Sequence, residues 1–269
     1  MQEQEVSSVS EQVEAPPKVL AGEPTLWVRD PRGTFYCQGC HYGIVQRLVA
    51  EVLEELDLGG RTIGSTGAGC AYSFFYGLDV DQIAAPHGRP PDVATGVKRL
   101  FPDRLVLTVQ GDGDCISIGA ESLIAAASRA EKITVIMLNN GGYALTGGQL
   151  APTTLLDQVT TTTPEGRHEE HGHPVHVPEM LATIKGVVYC ARGTVHTPSN
   201  YARTKKYLKT AFRRQMNGEG FTFVEILSAC PTYWHMSPLE CLERIGDSVV
   251  PEFPLGEIKR DEPIKAAKS

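Results

Sequence analysis

The sequence predicts an α/β protein, a parallel β-sheet with helices on both faces. Three observations lead there. Leu105–Val109, Ile133–Leu138 and Phe221–Leu227 are short apolar runs rich in β-branched or aromatic residues, the pattern of strands buried on both faces. Between the first two lies Ile118–Ala130, a helical stretch with small residues (Ala120, Ala125, Ala126, Ala127) on its packing face. Strand, helix and strand in this order make a right-handed parallel crossover. Finally, no Gly/Ser- or Pro-rich linker divides the 269 residues into self-sufficient halves, so one domain is expected.

The remaining elements follow in order. Ile44, Val45, Leu48, Val49, Val52 and Leu53 recur at helical spacing after a Cys37–Cys40 turn, and Gly59-Gly60 closes that helix. Thr62–Thr66 reads as a short strand. Val93–Phe101 reads as a helix stopped by Pro102, Val187–Ala191 as a strand and Asn200–Met216 as a helix. Residues 141–178, rich in Gly, Thr, Pro and His, show little periodicity; a stretch this long inside a compact domain is a functional loop. Residues 1–24 read as a flexible arm, 25–247 as the folded domain and 248–269 as a C-terminal tail.

Composition narrows the function. The formal net charge of −7 and the absence of a basic cluster beyond Lys205-Lys206 and Arg213-Arg214 argue against nucleic-acid binding. No run of about 18 apolar residues predicts a membrane span, and the acidic start lacks the apolar core of a signal peptide. The expected location is the cytoplasm, where the seven cysteines are packing residues or metal ligands rather than disulfides.

Gly111-Asp112-Gly113-Asp114 follows one strand and precedes a helix. Glycines there let the backbone approach a phosphate, and the helix start presents free N–H groups. An acid beside a diphosphate needs a cation between them, and magnesium takes oxygen ligands that include phosphates. The next strand ends at Asn139-Asn140, so adjacent strand ends can deliver Asp112 and Asn140 to one metal, with a carbonyl of the Gly141–Tyr143 turn as third ligand. Ile116 stands where a dinucleotide fingerprint needs glycine. A plain βα turn with a capping Asp remains the alternative. Cys37-Gln38-Gly39-Cys40 fits a redox pair, a zinc half-site or a cluster half-site. Cys70 and Cys230, both at strand ends, could complete four thiolates for zinc or a [4Fe–4S] cluster.

Gly111-Asp112-Gly113, 25 residues and Asn139-Asn140 resemble the thiamine diphosphate signature. With CQGCHYGIVQRL, GAGCAYSFFYGLDVDQIAAPHGRPPDVATG, QGDGDCISIGAESLIAAASRAEKITVIMLNNGGYALTGGQLAPTT and VEILSACPTYWHMSP, the chain resembles the β subunit of 2-oxoacid:ferredoxin oxidoreductases over about residues 35–255. It looks most similar to the 2-oxoisovalerate branch, then to the 2-oxoglutarate branch. The resemblance implies a thiamine diphosphate-binding, diphosphate-type fold. It implies Mg²⁺ on Asp112, Asn140 and the Gly142 carbonyl. Gly111, Gly113 and Asp114 would line the diphosphate, with Tyr143 in the same turn, and Thr146, Gly147 and Gly148 would close over the cofactor. It implies one [4Fe–4S] cluster on Cys37, Cys40, Cys70 and Cys230, leaving Cys115, Cys190 and Cys241 as packing residues. Gly142 departs from a bulkier residue common in the family, and Ala144 from a glycine.

By the same match, His87 and Arg89 are the candidate catalytic residues, near the cofactor or a substrate carboxylate. His168, His171, His173 and His176 lack helical metal-ligand spacing and are expected at solvent or a subunit contact. The implied reaction is oxidative decarboxylation of a 2-oxoacid to an acyl-coenzyme A, with electrons leaving through the cluster to ferredoxin. A single such signature in the chain implies partners: an α subunit carrying the pyrimidine-binding domain, and γ and ferredoxin-like δ subunits. A non-redox thiamine-dependent decarboxylase subunit and a zinc-stabilised scaffold are the competing readings.

Overall fold

The computed structural model describes residues 22–28 and 35–261. The N-terminal arm expected over 1–24 falls, up to residue 21, outside the described residues, as does the tail beyond 261.

Seven strands form one sheet: β1 (Thr62–Thr66), β2 (Asp81–Ala84), β3 (Leu105–Gly111), β4 (Thr134–Asn139), β5 (Val187–Thr194), β6 (Phe221–Leu227) and β7 (Gly256–Arg260). Their order is β2-β1-β3-β4-β6-β5-β7. All pairs are parallel except β5 with β7. Helices α1 (His41–Glu55), α2 (Pro90–Leu100), α3 (Ala120–Ser128), α4 (Val177–Ala182) and α5 (Pro198–Met216) cover the sheet. Two short helices follow β6, α6 (Pro231–Trp234) and α7 (Pro238–Arg244).

The period-two alternation of the strands divides the core. Leu105, Leu107 and Val109 of β3 and Ile136 and Leu138 of β4 pack with α1 and α5. Val106, Val135 and Met137 face the other way, onto α2, α3 and α4. With both faces covered, the central strands carry no polar stripe. Cys115, Cys190 and Cys241 are fully buried within apolar clusters, as expected of packing residues.

Three features differ from the sequence reading. β2 is an edge strand whose four residues are all exposed, so no burial pattern announces it. The helix expected from Ile118 begins at Ala120, because Gly113–Ile118 forms a wider π-type turn. Residues 248–260, expected as a tail, belong to the domain: Phe253 is buried with Leu227 and Ala229, and β7 hydrogen-bonds to β5.

The sheet also buries charge. Arg192 on β5 and Glu225 on β6 are both wholly inaccessible to solvent and meet at 2.5 Å. The guanidinium also grips both carboxylate oxygens of Glu179 on α4, at 2.7 and 2.6 Å, and the Pro254 carbonyl. Glu225 uses its other oxygen to accept from the Asn139 amide at 2.7 Å. Removing one partner strands the others without a counter-charge. Arg192→Met is therefore expected to cost about 3–5 kcal/mol in equilibrium denaturation; a loss under about 1 kcal/mol would show that water reaches the network.

Candidate functional site

In open parallel sheets ligands bind beyond the carboxyl ends of the strands. Here the ends of β1, β3 and β4, with the His87 loop, form a cleft lined by Gly69, Cys70, His87, Gly111, Asp112, Gly113, Asn140, Gly142, Tyr143 and Thr146, among others. The adjacency of β3 and β4 brings Asp112 and Asn140 together as the sequence predicts.

The Asn140 side-chain amide stands between two acceptors, and its NH₂ donates to Asp112 Oδ1 (3.3 Å) and to the Gly142 carbonyl oxygen (2.8 Å). An amide in this place can equally offer its oxygen, so Asp112, Asn140 and the Gly142 carbonyl are the groups that could hold a magnesium ion, which takes oxygen ligands. Asp112 is 1% exposed, and burial pushes its carboxyl up to about 7, against hydrogen bonds from Thr153 and the backbone of Gly113, Asp112 and Gly142. Thr153 Oγ1 donates to Asp112 Oδ2.

The turn carrying these oxygens is held on every side. Asn139 Oδ1 accepts from the Gly141 N–H at 3.0 Å, and Thr154 Oγ1 donates to the Gly141 carbonyl at 2.7 Å. Gly141 has φ +70°, where a side chain would be strained. Tyr143 lays its ring over Gly113, leaving no room for a Cβ there, and donates to the Gly113 carbonyl at 3.2 Å. The long loop beyond is ordered by Arg167. It is 3% exposed, and its guanidinium donates to the carbonyls of Pro152, Thr154, Gly172 and His173. Sequence reasoning missed Thr153, Thr154 and Arg167, because their partners are backbone atoms and a distant acid.

Four expected site residues are placed differently. Asp114 lines the cleft, but its carboxylate is taken up by protein partners: it pairs with His87 Nδ1 and accepts from the Gly88 N–H (2.7 Å) and Gln110 Nε2 (2.8 Å). It thereby anchors the loop that presents His87 to the cleft. Arg89 does not line the cleft; its guanidinium pairs with Glu121 and donates to Ser122 at 2.8 Å, on the outer side of α2 and α3. Thr146 lies at the exposed rim, but Gly147 and Gly148 line the opposite side of their turn.

Cys37, Cys40, Cys70 and Cys230 share one neighbourhood. Burial pushes the Cys40 thiol up to about 12, helped by the neighbouring Cys230, Cys70 and Cys37. Cys230 is pushed up to about 11 by burial and by Cys70 and Cys37. Among the described residues no three His, Cys, Asp or Glu side chains are gathered closely enough to hold an ion. The four cysteines are therefore neighbours without converging on one point. Four soft donors in one place suit zinc or an iron–sulfur cluster. Cys70 also lines the cleft, as does Tyr42, whose hydroxyl donates to the Leu138 carbonyl at 3.0 Å. His168, His171 and His173 are exposed, and His176 bonds Glu252 at 3.1 Å. Among the described residues no helix is long and apolar enough to cross a membrane.

Fold and strand-end site together define a thiamine pyrophosphate enzyme domain: residues 68–226 match the family model described as thiamine pyrophosphate enzyme, C-terminal TPP binding domain. The chain belongs to this family, in the group of 2-oxoacid oxidoreductase subunits. It is 38% identical over 226 residues to the ketoisovalerate oxidoreductase subunit VorA of Methanothermobacter thermautotrophicus, covering 84% of this chain and 47% of that one. It is 32% identical over 215 residues to the 2-oxoglutarate synthase subunit KorB of Archaeoglobus fulgidus, covering 80% of this chain and 76% of that one. The chain thus spans about half the length of the ketoisovalerate relatives and most of the 2-oxoglutarate one. A solved structure, 2-oxoglutarate:ferredoxin oxidoreductase from Magnetococcus marinus with 2-oxoglutarate, coenzyme A and succinyl-CoA bound, superposes with a TM-score of 0.72 at 26% identity, covering 93% of this chain and 89% of that one.

The buried Asp112 gives a pH signature. Its carboxyl is protonated below about pH 7, and the neutral acid binds a cation poorly. Magnesium affinity, measured by calorimetry, is expected to fall about tenfold per unit below pH 7 and to level off above it. A flat profile between pH 5.5 and 8 would exclude Asp112 as a ligand.

Proposed function

We propose that this chain is the thiamine diphosphate-binding β subunit of a 2-oxoacid:ferredoxin oxidoreductase. The overall reaction is coenzyme A-dependent oxidative decarboxylation of a 2-oxoacid to acyl-CoA and CO₂, with two electrons passed singly to ferredoxin. The observation that carries this reading is the Asp112–Asn140–Gly142 set beside the four-cysteine neighbourhood, with Cys70 lining the same cleft. The 38% identity to a ketoisovalerate subunit favours a branched-chain substrate such as 2-oxoisovalerate over 2-oxoglutarate or pyruvate.

In this reading Asp112, Asn140 and the Gly142 carbonyl would hold Mg²⁺, and Gly111 and Gly113 would leave the backbone open to the diphosphate. The bound thiamine supplies an electron sink for decarboxylation. The chain's own residues position and enclose. Thr153 and the turn amides hold the Asp112 carboxylate, Tyr143 braces Gly113, and His87 faces the cleft with its ring fixed by Asp114, available to a substrate carboxylate. Cys37, Cys40, Cys70 and Cys230 hold one [4Fe–4S] cluster, which gives single electrons an exit. An α subunit supplies the pyrimidine-binding wall, with γ and ferredoxin-like δ chains completing the assembly in the cytoplasm.

The test is anaerobic purification with the partner subunits, followed by ferredoxin reduction with 2-oxoisovalerate, 2-oxoglutarate and pyruvate in the presence of coenzyme A. Highest kcat/KM with 2-oxoisovalerate is expected. Asp112→Asn should lower kcat at least about a hundredfold, and Cys40→Ser should remove iron and ferredoxin reduction together. A colourless, iron-free assembly that still decarboxylates would instead identify the non-redox enzyme, and zinc without bound thiamine would identify a scaffold.

A further inference from the structure

The short helix after Cys230 reaches back to the turn that carries the proposed metal oxygens. Tyr233 Oη donates to the Gly141 carbonyl at 3.1 Å and accepts from Gln158 Nε2 at 3.0 Å. Trp234 Nε1 donates to the Asn140 carbonyl at 3.0 Å. A Cβ on Gly142 would lie 2.6 Å from the Tyr233 ring, and one on Gly148 would lie 2.5 Å from it. The ring therefore occupies the space that side chains at 142 and 148 would need. Gly142 itself is outside the left-handed region, unlike Gly141 and Gly148, so only the tyrosine, not the backbone, demands glycine there. The helix is tied in turn to Cys230, whose carbonyl accepts from the Trp234 N–H at 2.9 Å.

We infer that Tyr233 and Trp234 are positioning residues for the metal. Their two hydrogen bonds hold the successive carbonyls of Asn140 and Gly141, and the Tyr233 ring packs against Gly142, whose carbonyl lies 2.8 Å from the Asn140 amide. Outer groups of this kind set the direction of the ligands, and losing one typically weakens metal binding about tenfold or more. Through Cys230 the same five-residue segment links the metal turn to the cysteine neighbourhood.

This rests on the proposed Mg–thiamine diphosphate site, and the experiment separates the two. Mn²⁺ stands in for Mg²⁺ in the full assembly with thiamine diphosphate, and its affinity and line shape are read by electron paramagnetic resonance. Tyr233→Ala removes the ring, and Gly142→Ala pushes it away. Each is expected to weaken Mn²⁺ about tenfold and broaden its spectrum. The double variant, in which the new methyl group partly fills the vacated space, should recover to within about threefold of wild type. Tyr233→Phe keeps the ring and should lose less than Tyr233→Ala. If Tyr233→Ala does not fold, Tyr233→Phe and the double variant decide. Unchanged binding in Tyr233→Ala, or losses that simply add in the double variant, would overturn the positioning role. A wild type without metal-dependent thiamine diphosphate binding would overturn the site and the positioning role together.

Discussion

The structure depends on how one turn is held over a buried carboxylate. The Asn140 amide bridges Asp112 Oδ1 and the Gly142 carbonyl. The surroundings are arranged to keep these groups in place. Asn139 ties the start of the turn to Glu225, Thr154 and Tyr233 hold the Gly141 carbonyl, and Thr153 holds the other oxygen of Asp112. The atoms proposed to hold the metal are thus fixed by the protein's own hydrogen bonds. Preorganisation of this kind raises affinity because no ordering is left to perform at binding.

The buried Arg192–Glu225 pair is part of the same arrangement. An ion pair at the centre of a sheet is weak support for stability compared with apolar packing. Its position suits a different role, because Glu225 sits beside Asn139 and offers it an oriented acceptor that no apolar residue could provide. The pair also ties α4 and the Pro254 carbonyl to the sheet, so the long loop returns to a fixed point after Arg167 has ordered it.

Much of the fold could be read from the sequence because central strands buried on both faces write themselves as apolar runs. β3, β4 and β6 are of that kind, and α1 and α5 show their helical stripes. β2 and β7 lie at the sheet edges, where one side needs no burial and the pattern fades, so neither carries a sequence signature. The site divides similarly. Asp112 and Asn140 follow from strand adjacency alone. Arg167, Thr153 and Tyr233 act on atoms distant in the chain, mostly backbone carbonyls, and a residue that bonds to a carbonyl carries no motif. Asp114 and Arg89 show the converse, since residues in a recognisable string serve the loop and a helix pair instead. Gly142 reads as a departure until the Tyr233 ring is placed against it.

β7 lies antiparallel on β5, and β5 lies beyond β6. Among the described strands, the one that closes this side of the sheet is therefore the last made. While the chain emerges from the ribosome, β5 can find its β6 partner only after Leu227 has appeared, and its second side stays open until Arg260 does. An open strand offers a row of unsatisfied amides and carbonyls to any neighbouring chain, and such exposure during synthesis is where long-range sheets are vulnerable to misassembly. Arg260 on the closing strand, exposed and paired with Glu257, then leaves charge at this edge, one of the ways a finished edge discourages further pairing.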